Sequence, residues 1–521
     1  MSANSYIQVI VPLKLDWEPF YSVPEGLELV EGDRVNVLFS GKEYMAVVSK
    51  TNAVPDDALL NKGVHSIIDK VADLPRITAL EIHFWRTLAA YYLCTVGEVY
   101  KSVYFLDKKP PRKWVAENCE VPAVSKGHTS LVLSPVGEDR TDYYLSKAAE
   151  TLKEGKSVLY LVPEIALTWQ LEQRVKDVFP DLLLYHSGIT PAKRRDVILE
   201  ARTGKPIIVL GTRSALFIPF KYLGLIIVDQ EQDVSYKQDS PAPRYHARET
   251  AIMLGSLCGA NVILGSSTPS LESSYNADNG LFTKIELKDN FTTAPSPSVT
   301  VIDTVAERRK NGMVGDLSLK LLARIKEVTD AGGKVLLIGW PQAEEMPGVS
   351  LVSPSAVRNM PVTGYDLIAV IQADGLLGRQ DFRSDERALQ LLRRLSAAAP
   401  LVIQTRESKH PVFNLDIYPQ MLEERRQFGY PPFTRGVTVQ VNDINQDRQT
   451  LRSRLLGNRI KETLRPYSDP LILGPEQGEI RIFFKRDKQL TNGKQALYKA
   501  VTSFEQQYSY SGHITIDVDP V

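Results

Sequence analysis

The stretch LVLSPVGEDRTDYYL, Leu131 to Leu145, has the layout of a phosphate-binding loop: an apolar run, a short polar loop, then a helix-compatible segment. In the register of the Walker pattern G-x-x-x-x-G-K-[ST], its key positions are Ser134, Asp139, Arg140 and Thr141. A working loop needs glycines so that backbone N–H groups can approach phosphate oxygens. Ser134 and Asp139 stand at two of those positions, and Gly137 is the glycine that remains. Asp139 would set a carboxylate against a polyanion, costing about 1 kcal/mol at ~4 Å even in water. Arg140 keeps a positive charge but is planar and bulky, a poor substitute for the point charge of a lysine. Thr141 keeps its magnesium-side hydroxyl. The spacing predicts a strand–loop–helix connector that holds the position of a phosphate loop without its chemistry.

A second constellation points to nucleic acid. GTRSALF sets Thr212, Arg213 and Ser214 beside a strand end, a usual place for backbone-phosphate contacts. SYKQDSPAPRYHAR interleaves Tyr236, Lys237, Arg244, Tyr245, His246 and Arg248. Aromatics stack on bases at ~1–3 kcal/mol each and cations follow phosphates, so these residues read as a DNA face. Packing of the tyrosines against their own lobe is the even alternative. IRIFFKRDK places Lys485, Arg486 and Lys488 around an aromatic strand, where an exposed strand end with solubilising charge is the plainer reading.

The elements that must position these residues fall into four groups. Residues 5–105 begin with Val-, Tyr- and Phe-rich runs broken by turns, a small β domain, and continue into an expected helix, ALEIHFWRTLAAYYL. Residues 106–127 form a linker containing the basic, proline-broken DKKPPRKW. From 128 to 290, SVLYLVPE, LLLYHS, PIIVLGT, LGLIIVDQ and ANVILGSS have the continuous apolar character of buried parallel strands, alternating with helices in a doubly wound α/β lobe. A reduced α/β unit with strands at KVLLIGW, DLIAVIQAD and PLVIQT spans 318–412, and 413–521 reads as a small α+β domain.

Length and composition bound the rest. A chain of 521 residues needs two to four domains. Lys plus Arg equals Asp plus Glu at 62 each, so binding to a polyanion depends on local basic faces. Cys94, Cys119 and Cys258 form no C-x-x-C pair, which excludes a readable zinc ribbon or disulfide framework. No secretory signal is present in MSANSYIQVIVPLKLDW and no apolar run approaches bilayer-spanning length, so the expected location is the cytoplasm and no membrane is involved.

YLVPEIALTWQL, LYHSG, GTRSALFIPFKYLGLIIVDQEQDVSYKQ, RYHARE and GSSTPSLES, in this order, resemble motifs of the primosomal replication-restart helicase (PriA, primosomal protein N′) family. VPLKLDWEPFYSVPEGL with RVNVLFSGKEYMAVV resembles the family's N-terminal 3′-end-binding domain, and ERRQFGYPPF with the terminal IDVDP resembles its C-terminal domain. The resemblance implies two RecA-like lobes, the second reduced, between those two domains. It also implies a shortened relative: there is too little chain before the loop for the family's winged helix, and its zinc-binding cysteines are absent. Where the family reads Asp-Glu-Glu-His, this chain has Asp229, Gln230, Glu231 and Gln232. Asp229 could still hold magnesium, but the Gln230 amide cannot take a proton from attacking water. Ser396 to Ala399 stand where the arginine finger belongs, and Ser353-Pro354-Ser355 where a coupling loop reads Gly-Thr-Gln. Arg393 and Arg394 read as a solvated helix face. In the 3′ pocket, Pro19-Phe20-Tyr21 lacks the family's aspartate, and Ser40 replaces a glycine.

The expectations are accordingly a degenerate nucleotide site at Gly137, Arg140, Thr141 and Asp229, with no catalytic residue, cofactor or metal. The DNA face would comprise Thr212, Arg213, Tyr236, Lys237, Arg244, Tyr245 and Arg248. The expected function is a non-hydrolysing scaffold on single-stranded or forked DNA, with single-strand-binding protein or other primosome proteins as partners. A residual ATP-dependent 3′–5′ helicase, or a protein-interaction module without DNA binding, are the alternatives.

Overall fold

The computed structural model describes residues 5–103, 127–134, 137–287, 298–339, 346–360, 362–377, 381–508 and 512–521. The linker DKKPPRKW, Cys119 and the side chain of Asp139 lie outside the described residues.

The N-terminal domain is an antiparallel five-stranded sheet in the order Phe20–Ser22, Tyr6–Ile10, Lys42–Lys50, Arg34–Phe39, Asp69–Lys70. Period-two alternation decides its inner face: Val35 and Val37 lie with Ile7, Val9, Ala46 and Val48 in one core. The helix Ala79–Tyr92 starts at a capping box formed by Thr78 and Glu81. It buries Ile82, Phe84, Trp85, Leu88 and Tyr92, and packs on the Ala247–Cys258 helix of the next domain.

Lobe 1 is a seven-stranded, wholly parallel sheet in the order Thr283–Glu286, Thr129–Leu133, Asn261–Ser266, Leu223–Asp229, Ser157–Leu161, Ile208–Gly211, Leu183–Tyr185. Its inner strands Ser157–Leu161, Ile208–Gly211 and Leu223–Asp229 are mostly apolar because both faces are covered, whereas the edge strand Thr283–Glu286 is polar and exposed. Leu159, Leu161, Ile226 and Val228 enter the core on one face, and Val158, Tyr160, Leu225 and Ile227 the core on the other.

Lobe 2 has five parallel strands in the order Val299–Asp303, Leu401–Thr405, Leu367–Val370, Val335–Ile338, Val349–Val352. It is smaller than lobe 1, but its sheet has two strands beyond the three expected and starts upstream of residue 318. The additional strands, VTVID and VSLV, carry little sequence signal because they are short edge strands with half-buried, polar-containing faces. Val412, Phe413, Ile417 and Met421 belong to lobe 2's core, so the chain leaves that lobe later than residue 413.

The last domain runs strand Thr434–Asn442, helix Gln446–Leu464, strands Leu471–Glu476 and Glu479–Lys485, helix Leu490–Gln507, strand His513–Val518. Its antiparallel order, second–third–first–fourth, is the split βαβ arrangement. Among the described residues no helix is long and apolar enough to cross a membrane.

Candidate functional site

Ligand sites of parallel sheets form at the carboxyl ends of the strands. The Leu223–Asp229 strand delivers Asp229 there, two strands from Thr129–Leu133, which leads to Ser134. The helix Gly137–Lys153 returns across this edge, carrying Arg140, Thr141 and Tyr144. The four expected nucleotide residues are thus brought to one place, with Gly137 opening the helix. The Arg140 guanidinium turns inward: Nε lies 3.3 Å from Asp229 Oδ1, and Nη1 donates to the Ser134 carbonyl at 2.7 Å. Tyr144, one helical turn after Arg140 and so on the same face, donates its hydroxyl to the same Asp229 oxygen at 3.0 Å. Arg140, Asp229, Tyr144 and Thr141 are all buried. Burial opposes the charge on Arg140, but the Asp229 carboxylate raises its pKa above the ordinary value nonetheless. Burial first, and then Asp229, push the Tyr144 phenol well up. Tyr144 approaches so closely that a Cβ on Gly265 would lie 1.5 Å from its hydroxyl, which accounts for a glycine in that strand. The Arg140 guanidinium and the Asp229 carboxylate thus neutralise each other.

The rest of the acidic motif has become a structural junction. Glu231 is fully buried and accepts from Arg248 Nη1 at 2.8 Å, the Ser270 amide at 2.7 Å, and the Ser270 and Ser273 hydroxyls. Gln232 accepts from the Ser266 hydroxyl at 2.6 Å. Across the lobe boundary, Glu272 pairs with Arg383 at 2.8 Å and Arg425 at 3.5 Å, while within lobe 2 Glu386 pairs with Arg425 at 2.6 Å. Glu386 also accepts from the Leu271 amide at 2.8 Å, and the Leu271 side chain sits in lobe 2's core. Burial works against ionisation of Glu272, but Arg383 and Arg425 hold its carboxyl below the carboxylate range. The two lobes are therefore joined by buried charge pairs and an apolar plug.

The expected DNA face is assembled but turned inward. Tyr236 is buried and donates to the Asp229 carbonyl at 2.7 Å; Tyr245 is buried edge-on against Phe217 at 5.1 Å. Lys237 is buried between Asp517 at 2.6 Å and the carbonyls of Val518 and Arg244. Arg248 is held by Glu231, and Thr212 is buried. Both tyrosines pack against their own lobe, the even alternative, and Lys237 docks on the terminal domain, so these five residues present no surface to DNA in this arrangement. Arg213, which donates to the carbonyls of Ser235 and Lys237 at 2.9 and 2.6 Å, and Arg244 remain half-buried.

Arg393 and Arg394 are not a solvated face either. Arg393 donates to the Leu415 carbonyl and lies 5.1 Å from the Tyr418 ring, and Arg394 donates to the carbonyls of Val357 and Met360. Both staple loops of lobe 2. In the N-terminal domain, Trp17 leans on Phe39, and Tyr21 is buried with its hydroxyl on the Leu38 carbonyl. A cavity of about 490 Å³ there contains Asp16, Trp17, Glu18 and Phe20, and no lysine or arginine lines it. Among the described residues, no group of three or more His, Cys, Asp or Glu could hold a metal ion.

The internal partners, Tyr144, Glu272, Glu386 and Asp517, are the site residues that sequence reasoning did not find. Only Tyr144 carried a signal, four residues after Arg140 on one helix. The others lie far away in the chain.

Comparison with known proteins adds an independent line. Residues 8–104 match the PriA 3′DNA-binding domain (3′BD) model, and residues 118–276 match the DEAD/DEAH box helicase model. The chain is 31% identical over 335 residues to the replication restart protein PriA of Rickettsia felis, covering 61% of this chain and 51% of that protein. It is 44% identical over 202 residues to the PriA of Haemophilus influenzae, covering 39% of this chain and 27% of that protein. It spans about half the length, or less, of the curated relatives it matches. Among solved structures, RecG bound to a three-way DNA junction is similar at 13% identity and a TM-score of 0.38, covering 57% of this chain and 44% of RecG.

Proposed function

We propose that this chain, which belongs to the family of PriA replication restart proteins, acts as a DNA-binding scaffold that does not hydrolyse ATP. One observation carries the reading: Arg140 and Asp229, the residues expected to meet phosphate and magnesium, pair with each other, and Tyr144 closes the pair. Displacing it would require separating two buried charges, for which Mg-ATP offers in return a loop with few glycines and no water-activating carboxylate. The fused lobes support the same reading, because translocation needs lobes that open and close with nucleotide. Single-stranded or forked DNA is the expected substrate, and the chain acts in the cytoplasm, where that DNA is. Single-strand-binding protein and other primosome proteins are the partner class.

The test is equilibrium binding of the purified chain to labelled forked and single-stranded DNA over a range of salt, with and without Mg-ATP. The expected result is micromolar or weaker affinity that falls steeply with salt and does not respond to ATP. Affinity that tightens with ATP would revive the helicase reading. Undetectable binding at low salt would leave the protein-interaction reading.

A further inference from the structure

Phe428 ends the helix Tyr418–Phe428 with its side chain 63% exposed. An exposed phenylalanine alone is ordinary, but this one is the outer rung of a ladder. Its ring stacks on Tyr430 at 6.2 Å and 26°, and Tyr430 stacks on Phe382 at 4.9 Å and 19°. Phe382 in turn lies 5.0 Å from the Arg383 guanidinium and 4.9 Å from that of Arg425, the buried cations at the lobe boundary. The inner end of the ladder is thus fixed, and the outer end is open.

Tyr430 also meets Phe483 edge-on at 5.0 Å. Phe483 and Lys485 are two residues apart on the strand Glu479–Lys485 and so share a face, while Phe484 between them enters the helix-covered core. Lys485, Arg486 and Lys488 are exposed; Asp487 feels the charge of Lys485 but is held first by other partners. Arg486 is steadied by donating Nε to the Thr434 carbonyl at 3.3 Å. Asp487, within the same run, is engaged by the Ser468 hydroxyl and the Gln489 amide.

We propose that this corner, where lobe 2 meets the terminal domain, binds an unpaired stretch of nucleic acid. A base stacks on Phe428, and the flanking phosphates lie along Lys485, Arg486 and Lys488. The chemistry is that of a single-strand platform, a preformed aromatic surface beside exposed cations. It also answers a difficulty left by the inward-turned loop of lobe 1, namely which cations and rings remain available to DNA. The inference rests on the scaffold reading and gives it a site.

The experiment uses the full chain and an oligothymidylate containing one 2-aminopurine, whose fluorescence is quenched on stacking. Phe428→Ala is expected to weaken binding about tenfold and abolish the quenching, and Phe428→Trp to restore both. Changing Lys485, Arg486 and Lys488 together to Gln is expected to flatten the dependence of log affinity on log salt by about 2, at ~0.7 for each phosphate that is no longer neutralised. All four side chains are exposed, so far-ultraviolet circular dichroism should not change. Binding by the unaltered chain that both variants leave intact overturns the platform alone. Failure of the unaltered chain to bind at low salt overturns the platform together with the scaffold reading.

Discussion

Consider replacing Arg140 with Ala. The mutation removes the one ionic partner that Asp229 has among the described residues, leaving that buried carboxylate with the Tyr144 hydroxyl. At 3.3 Å the pair is worth about 5 kcal/mol of direct attraction at an effective dielectric of 20, most of it offset by the desolvation of both groups. Removing one partner leaves the other's desolvation uncompensated, and this costs ~3–5 kcal/mol. Asp229→Ala should cost a similar amount, because it strands a buried guanidinium beside the Ser134 carbonyl. The double replacement should cost much less than the sum, with a coupling energy of ~2–3 kcal/mol between adjacent, mutually dependent groups. The assay is urea unfolding of the four proteins, following the transition of lobe 1 by far-ultraviolet dichroism, with the midpoints compared at constant slope. If Arg140→Ala costs under ~1 kcal/mol and the two losses simply add, Arg140 is solvated and the closed nucleotide site does not exist.

Arg213→Ala should lower stability by ~1.5–3 kcal/mol, since it withdraws a charged donor from two carbonyls, while changing DNA affinity less than about threefold. Denaturation and DNA titration of the same variant separate the two effects. Glu386→Ala leaves Arg425 without its 2.6 Å partner and the Leu271 amide without its acceptor, so it should destabilise by ~3–5 kcal/mol. Hydrogen exchange should then accelerate at both 270–275 and 383–388; acceleration on one side alone would mean that the lobes are not joined there. Burial lowers the Lys494 pKa to about 8, with Asp519 and Arg435 acting in opposite directions on it. Its folded pKa lies below the unfolded value of ~10.4, so the unfolded chain binds more protons between those limits and stability gains from this group as pH rises through that window. Thermal unfolding of the wild type and Lys494→Met at about pH 7.5 and pH 10 should show the variant's advantage shrinking at the higher pH; an unchanged difference would contradict the shift.

How far the sequence revealed this molecule depended on range. The strand LGLIIVDQ was legible because burial on both faces demands an unbroken apolar run, and Ala79–Tyr92 because helical spacing is local. Val299–Asp303 was not, since an edge strand with one half-buried face carries little apolar signal. The strand–loop–helix order around Ser134 was legible from spacing. The ion pair that forms there was not, because Arg140 and Asp229 are 89 residues apart and nothing local announces their meeting. The aromatic loop shows the limit most plainly. Tyr236, Lys237 and Tyr245 have the types that grip DNA, but the same types satisfy their own lobe or a docked domain. For Lys237 the partners are Asp517 and the Val518 carbonyl, the latter 281 residues away; for the two tyrosines they are the Asp229 carbonyl and Phe217 of their own lobe.

The central claim is that the nucleotide site is closed by its own side chains, and turnover tests it most directly. Purified chain should be incubated with Mg-ATP, with and without saturating single-stranded DNA, beside Asp229→Ala as the control. Phosphate release should stay at background in every case, with no difference between the two proteins. Release stimulated by single-stranded DNA, at about one turnover per second and abolished by Asp229→Ala, would contradict the closed site.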